Sequence, residues 1–349
     1  MTALVQLSSL TTLGLGGPAT ELIVGDSSAT IIAALDDLAD RGEPVLLVAG
    51  GSNLVIADAG VDHPVLRIAN SGVQAHRDGA DLIVTTAAGE NWDRVVAMFT
   101  ADGWSGIEML SGIPGSTGAT PIQNVGAYGA EVSDVLVDVT VYDRTTRTSR
   151  VLTAADLKLG YRTSLLRGNR DLVVMQVRMR LTHIPPPVRY GELAATLGVA
   201  PGHGAPPAEV REAVLALRRG KGMVLDPADP DTRSVGSFFT NPLLDDAALA
   251  AAHAAIVARL GADVRYPQYP AGAATKLSAA WLIDRAGFAK GFALPRGGAA
   301  ISSKHTLALT NRGGTTADLI ALARHVRDGV EDAFGVRLHA EPILIGTDL

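Results

Sequence analysis

Apolar residues recur along this chain with two periods. Ile31, Ile32, Leu35 and Leu38 follow Ser28 at the spacing of one helix face, and Gly42 closes the segment. The apolar run over 45–49 reads as a buried strand, so a helix is followed by a strand that ends in Gly50-Gly51-Ser52-Asn53. Further strands are expected over 61–69 and 82–88, and Trp92, Val95, Val96 and Phe99 mark another helix face. Alternating Val135, Val137, Val139 and Val141, then the run 173–181, predict antiparallel strands of a second α+β unit. Proline-rich breaks at 185–187 and 200–207 lead into a third unit near Ala208. It holds a helix face at Val210, Val214 and Leu217, an alanine-rich helix over 245–260, a last helix from Leu319 to Phe334 and a closing strand over 336–345.

Composition narrows the partners. The 349 residues leave room for two or three domains at roughly 150 residues each. A net charge of −6 argues against nucleic acid or an anionic membrane as the main partner. There is no cysteine, which excludes disulfides, thiolate metal sites and a cysteinyl flavin link, and fits a cytoplasmic protein. Residues 1–15 lack a basic stretch followed by an apolar run, and no stretch of about twenty apolar residues occurs, so neither export nor membrane insertion is expected. The eight histidines lack the spacing of a helical zinc site, and no metal is expected.

Candidate chemistry starts at residues 112–129, with five glycines, two prolines and no charged side chain. Such a segment offers backbone, and consecutive exposed N–H groups in it suit a diphosphate. It lacks the Gly-Lys-Ser/Thr ending of a triphosphate loop, which leaves a dinucleotide pyrophosphate or a tight surface loop with no ligand. A second glycine motif, Gly14-Leu-Gly16-Gly17-Pro18-Ala19, resembles a Rossmann fingerprint. Its context is wrong, because polar residues 8–12 precede it and a strand pattern, not a helix, follows Pro18.

Three polar residues stand alone in apolar or glycine-rich surroundings: Arg162 after Tyr161, Ser237 in Gly236-Ser237-Phe238-Phe239-Thr240-Asn241, and Glu341 in the expected closing strand. An arginine offers a fork for a carboxylate, a serine hydroxyl can pass a proton, and a glutamate can orient it. Taken singly, a surface ion pair, a satisfied strand hydroxyl and an exposed strand residue explain them as well.

In order, Gly50 to Asn53, Gly112 to Ser116, Gln123 to Gly129, Tyr161-Arg162, the Gly236-Ser237-Phe238-Phe239 run and Glu341 resemble the UDP-N-acetylenolpyruvoylglucosamine reductase family. Tyr190-Gly191-Glu192-Leu193 resembles the tyrosine loop of its first type. The resemblance implies an α+β fold of the vanillyl-alcohol-oxidase (PCMH) type. Two FAD-binding subdomains, 1–69 joined by the tail 336–349 and 70–200, hold a non-covalent FAD, and a C-terminal substrate-binding domain, 208–335, closes over UDP-N-acetylglucosamine enolpyruvate. By the same resemblance, Gly50, Gly51, Ser52, Asn53, Gly115, Ser116, Thr117, Gly118, Ala119, Gln123, Asn124 and Gly126 line the cofactor. Tyr161, Tyr190, Lys221, Asn241, Tyr266, Lys276 and His305 take the substrate. Arg162, Ser237 and Glu341 carry the chemistry, NADPH is the reductant, and the enzyme is a monomer. Three features depart from the family pattern: Gly222-Met223-Val224-Leu225 after Lys221, a longer gap from Tyr266 to Lys276, and Pro342-Ile343 after Glu341 where an arginine contact to flavin is expected.

An FAD-dependent oxidase of a small alcohol, with the same fold, competes with this reading and would consume oxygen without a UDP-sugar. A non-catalytic flavin or sugar-nucleotide binding regulator would bind ligand and never oxidise NADPH.

Overall fold

A computed structural model describes residues 5–349; residues 1–4, with the start of the segment read as lacking a leader, lie outside the described residues. The chain forms two compact units. One is built mainly from Ala19–Gly51 and Asp62–Gly220, the other from Gln6–Pro18, Ser52–Val61 and Lys221–Leu349. Each has its own apolar core.

The first unit contains 70–200 and most of 1–69, the two stretches expected to be separate flavin subdomains, while 6–18, 52–61 and the tail 336–349 fall in the second. The helix Ser28–Asp40 forms where its apolar face predicts, with Ser27 and Thr30 capping its start and Ile31, Leu35 and Leu38 buried. It packs on a parallel sheet in the order Leu22–Gly25, Val65–Ile68, Leu46–Val48. The strand Leu22–Gly25 after Pro18 is the element that rules out a helix behind the Gly14 motif. A second, five-stranded antiparallel sheet runs in the order Thr148–Thr153, Leu136–Asp143, Leu172–Leu181, Asp81–Ala87, Val73–Asp78. The valine alternation thus reports a real pair: Val139 faces Val177 across the ladder. The helix Pro207–Gly220, expected to open the third domain, packs instead with the helices Trp92–Ala101 and Gly191–Leu197 of the first unit. Val210 and Val214 are the apolar face that draws it there.

In the second unit the helices Asp246–Leu260, Ala279–Ala286 and Thr316–Phe334 surround Ile256, Leu282 and Val326. The closing strand is shorter than the apolar pattern implies, only Ile343–Ile345, and pairs in parallel with Leu54–Ile56. Pro342 has no N–H to extend the ladder backwards. The tail, expected to join 1–69, pairs with Leu54–Ile56, and both strands belong to the second unit. Asp58 fastens this pair to the last helix by accepting the N–H groups of Thr316 and Ala317 at 2.8 and 2.9 Å.

Candidate active site

The two glycine loops meet within the first unit. The strand Leu46–Val48 delivers Gly50 and Gly51 from its carboxyl end, where parallel strands present backbone to ligands. A Cβ added to Gly50 would lie 2.6 Å from Gly115 Cα and 3.1 Å from the Ser116 nitrogen, so a side chain there forces the loops apart. Gly118 packs as closely behind, where an added Cβ would lie 2.4 Å from Ala88 Cβ.

The row of open N–H groups expected over 112–129 is narrower than the composition suggests. Thr117 donates to the Glu90 carbonyl, Gly118 to Ala88, Ala119 to Ser116, Thr120 to Thr117 and Val125 to Thr120. The tight turn over Thr117–Ala119 consumes them. Among the described residues, the N–H groups of Gly50, Gly51, Gly115 and Ser116 have no protein acceptor, and the buried Ser116 Oγ has no hydrogen-bond partner. A buried hydroxyl without a partner is costly unless something binds it. These donors, gathered where two glycines touch, fit the diphosphate and hydroxyl groups of FAD.

Side chains brace the loop from outside. Asp93, in the first turn of Trp92–Ala101, accepts the Gly112 N–H at 2.6 Å and two bonds from Arg211 at 2.6 and 3.0 Å. Burial pushes the Asp93 carboxyl up, but the bonds from Arg211 and Gly112 outweigh it and leave it below the usual carboxylate range. Burial pulls the Arg218 guanidinium down to about 10, against the raising influence of Tyr128 and Asp93. Glu108 is fully buried at the entry to the loop, accepts the Gly106 N–H at 2.5 Å, and is held above the usual range by that burial.

Asn124, expected to line the cofactor, is bonded to the protein on three sides. It adopts φ 46°, donates to Glu131 Oε2 at 2.7 Å and the Gly160 carbonyl at 3.3 Å, and accepts the Ser133 N–H at 3.0 Å. It thereby locks the Gly160–Thr163 turn onto the loop. Arg162 in that turn, at φ 52°, donates to the Gly126 carbonyl at 2.9 Å and lies over the Tyr161 ring, its Cζ 5.5 Å from the centroid. Tyr190 meets Tyr128 of the same loop edge to face at 5.3 Å, then gives way to the helix Gly191–Leu197. Gln123 is half-buried beside them in sequence. The first unit thus assembles Gly50, Gly51, Gly115 to Ala119, Gln123, Asn124, Gly126, Tyr161, Arg162 and Tyr190.

In the second unit, Ser237 is bridged to Ala308 on one side. On the other, the Glu341 N–H donates to the Phe238 carbonyl at 2.9 Å, which sets Glu341 beside the Ser237 segment rather than inside the closing strand. The Asn53 carbonyl accepts the Ile343 N–H at 2.9 Å, so Ser52-Asn53 joins the same cluster. His305 accepts the Leu307 N–H on Nδ1 at 3.2 Å, which in the neutral ring puts the proton on Nε2. Asn241 accepts the Ala279 N–H at 2.9 Å, capping the helix that follows Lys276, and Leu243 pairs with Lys276. Tyr266 is committed differently: its hydroxyl bonds His253 at 3.0 Å and its ring packs on Trp281 at 5.3 Å. Lys221 opens this unit next to Gly222. Asp93, Glu108, Arg211 and Arg218 in the first unit and Asp231 in the second are charged groups near candidate residues that do not stand out in sequence. Only the carboxylate of Asp93 in a helix first turn gives a local hint.

A family model for an FAD binding domain matches residues 20–151, and one for the C-terminal domain of UDP-N-acetylenolpyruvoylglucosamine reductase matches residues 227–345. The chain is 55% identical over 344 residues to the UDP-N-acetylenolpyruvoylglucosamine reductase of Saccharopolyspora erythraea, covering 97% of this chain and 94% of the relative. The protein of the same name from Thermobifida fusca is 51% identical, covering 99% and 98%. The crystal structure of UDP-N-acetylenolpyruvylglucosamine reductase from Thermus caldophilus superposes with a TM-score of 0.65 at 24% identity, covering 98% of each chain, and shares the fold.

Proposed function

The chain belongs to the UDP-N-acetylenolpyruvoylglucosamine reductase family, FAD-dependent oxidoreductases, and from that premise we propose that it reduces UDP-N-acetylglucosamine enolpyruvate to UDP-N-acetylmuramate with NADPH. This is a reduction step of peptidoglycan precursor synthesis. When bound, FAD would supply hydride-transfer chemistry between NADPH and the enolpyruvyl double bond. Gly50, Gly51, Gly115 and Ser116 would hold it through backbone N–H groups and the Ser116 hydroxyl, which have no protein acceptor or partner, with Asn124 shaping the loop.

Hydride addition to the terminal carbon leaves negative charge spread toward the substrate carboxylate. Arg162 offsets that charge, Glu341 orients and polarises the group, and Ser237 gives its hydroxyl proton to the adjacent carbon. The observation that supports this assignment is the hydrogen bond from the Glu341 N–H to the Phe238 carbonyl, which brings the Ser237 and Glu341 segments side by side. Lys221, Asn241, Lys276 and His305 supply donors for the diphosphate and sugar, and Tyr190 covers the bound substrate. Tyr266 contributes through packing. One chain carries every residue named, which supports a monomer, and the lack of cysteine fits the cytoplasm. Among the described residues no helix is long and apolar enough to cross a membrane.

The test is steady-state turnover by purified holoprotein, with mass spectrometry of the nucleotide product. NADPH oxidation that depends on the enolpyruvyl sugar nucleotide and yields the reduced lactyl ether is expected. Oxygen consumption with a small alcohol, and no such product, would favour the oxidase reading.

A further inference from the structure

Asp231 lies at a junction of the second unit that no candidate motif contains. It is 3% exposed. Its carboxylate accepts the Ser303 N–H at 2.9 Å and the Ser303 hydroxyl at 2.5 Å, and a third bond comes from the Arg312 guanidinium. Gly222, at φ 65°, packs so closely that an added Cβ would lie 2.9 Å from Asp231 Cβ. Beside it, Lys304 Nζ bonds Asp229 at 2.6 Å.

Two of the segments so fastened lie next to a candidate substrate residue. Gly222 follows Lys221, and Ser303 precedes His305 by two positions. The turn passes the constraint on through its own bonds. Ser302 Oγ accepts the N–H groups of Lys304 and His305 at 3.0 and 3.2 Å, His305 Nδ1 accepts that of Leu307, and the Leu307 carbonyl accepts the Phe238 N–H at 2.8 Å, next to Ser237. Burial raises the Asp231 carboxyl, but bonds from Ser303 and the charge of Arg312 bring it below the usual range, so it is ionised at neutral pH.

We propose that Asp231 is a positioning residue for the substrate half of the reaction: its carboxylate sets the 302–308 turn, and with it Lys221, His305 and the Ser237 segment, in register for the sugar nucleotide. This rests on the function proposed above. The first unit provides an internal control, because Asp138 is 6% exposed and held by Arg178 Nε at 3.1 Å to both oxygens, yet it bonds no candidate site residue.

The test compares Asp231→Asn, Ser303→Ala and Asp138→Asn as FAD-loaded enzymes. Asp231→Asn is expected to raise KM for the enolpyruvyl sugar nucleotide by about tenfold, and Ser303→Ala by about threefold, while flavin reduction by NADPH stays within about twofold of the parent. Asp138→Asn is expected to lose thermal stability with KM unchanged. Loss of stability in Asp231→Asn with an unchanged KM, or equal slowing of both half-reactions, would overturn the proposal. Where Asp231→Asn does not fold, an unchanged KM in Ser303→Ala overturns it. A parent enzyme that does not reduce the sugar nucleotide removes the functional reading itself, an outcome separate from these.

Discussion

The loop over 112–129 and the Ser237 cluster solve the placement of reactive groups in opposite ways. In the loop, glycines bring two stretches of main chain together, and Gly50, Gly115 and Ser116 present backbone donors where side chains are excluded. Around Ser237, three short segments are zipped by single ladder bonds, and a buried carboxylate at Asp231 fixes the turn behind them. Backbone donors cannot move when charge changes, which suits a resident cofactor. Side chains on such paired segments can lose or gain a proton, which suits a reacting substrate.

The sharpest way to break the comparison is Ser237→Ala. It is expected to slow sugar-nucleotide reduction by about 10²–10⁴-fold while leaving flavin reduction by NADPH intact, as single-turnover kinetics would show. Equal slowing of both steps would mean that Ser237 is not the proton donor. Gly50→Ala should do the reverse. Its added methyl meets the Gly115 main chain, so weaker FAD retention and a stability loss of about 1–3 kcal/mol are expected, measured by flavin content and thermal melts. An alanine variant with full flavin content would contradict the close approach.

Asp93→Asn probes the brace of the same loop and should cost about 1–2 kcal/mol, discounted because the pair is partly exposed. Because the native carboxyl is lowered, its contribution is complete above the unfolded value of about 3.9 and is lost as pH falls through the native value. The variant should therefore flatten the acid limb of the melting curve. Glu108→Gln is the smallest change and has the opposite sign. A raised native carboxyl favours folding only below the unfolded value of about 4.3, and that advantage is lost as pH rises through the native one. The glutamine form should be more stable at neutral pH by about 1 kcal/mol, and no gain there would show that the buried carboxyl is fully compensated.

Much of the first region was legible in the sequence because its physics is local. Glycine and proline spacing exposes a backbone loop, valine alternation exposes the sheet, and Ile31, Leu35 and Leu38 expose the helix that packs on it. Even there, the Thr117–Ala119 turn and the use of Asn124 as a fastener were hidden, because hydrogen-bond bookkeeping depends on partners such as Ala88 and Glu131. The second region was legible only by family resemblance. Ser237, Glu341, Asn53 and His305 are far apart in sequence, and nothing local says that Asp231 holds the turn between them. The packing of the helix Pro207–Gly220 was hidden for the same reason: Val210 and Val214 look like the start of a new core until the helix Trp92–Ala101 is found beside them.

Anaerobic stopped-flow spectroscopy reads both half-reactions in the flavin itself. NADPH should bleach the flavin absorbance of the holoprotein, and UDP-N-acetylglucosamine enolpyruvate added afterwards should restore it in one turnover. Bleaching without recovery would contradict the assignment of the sugar nucleotide as the substrate.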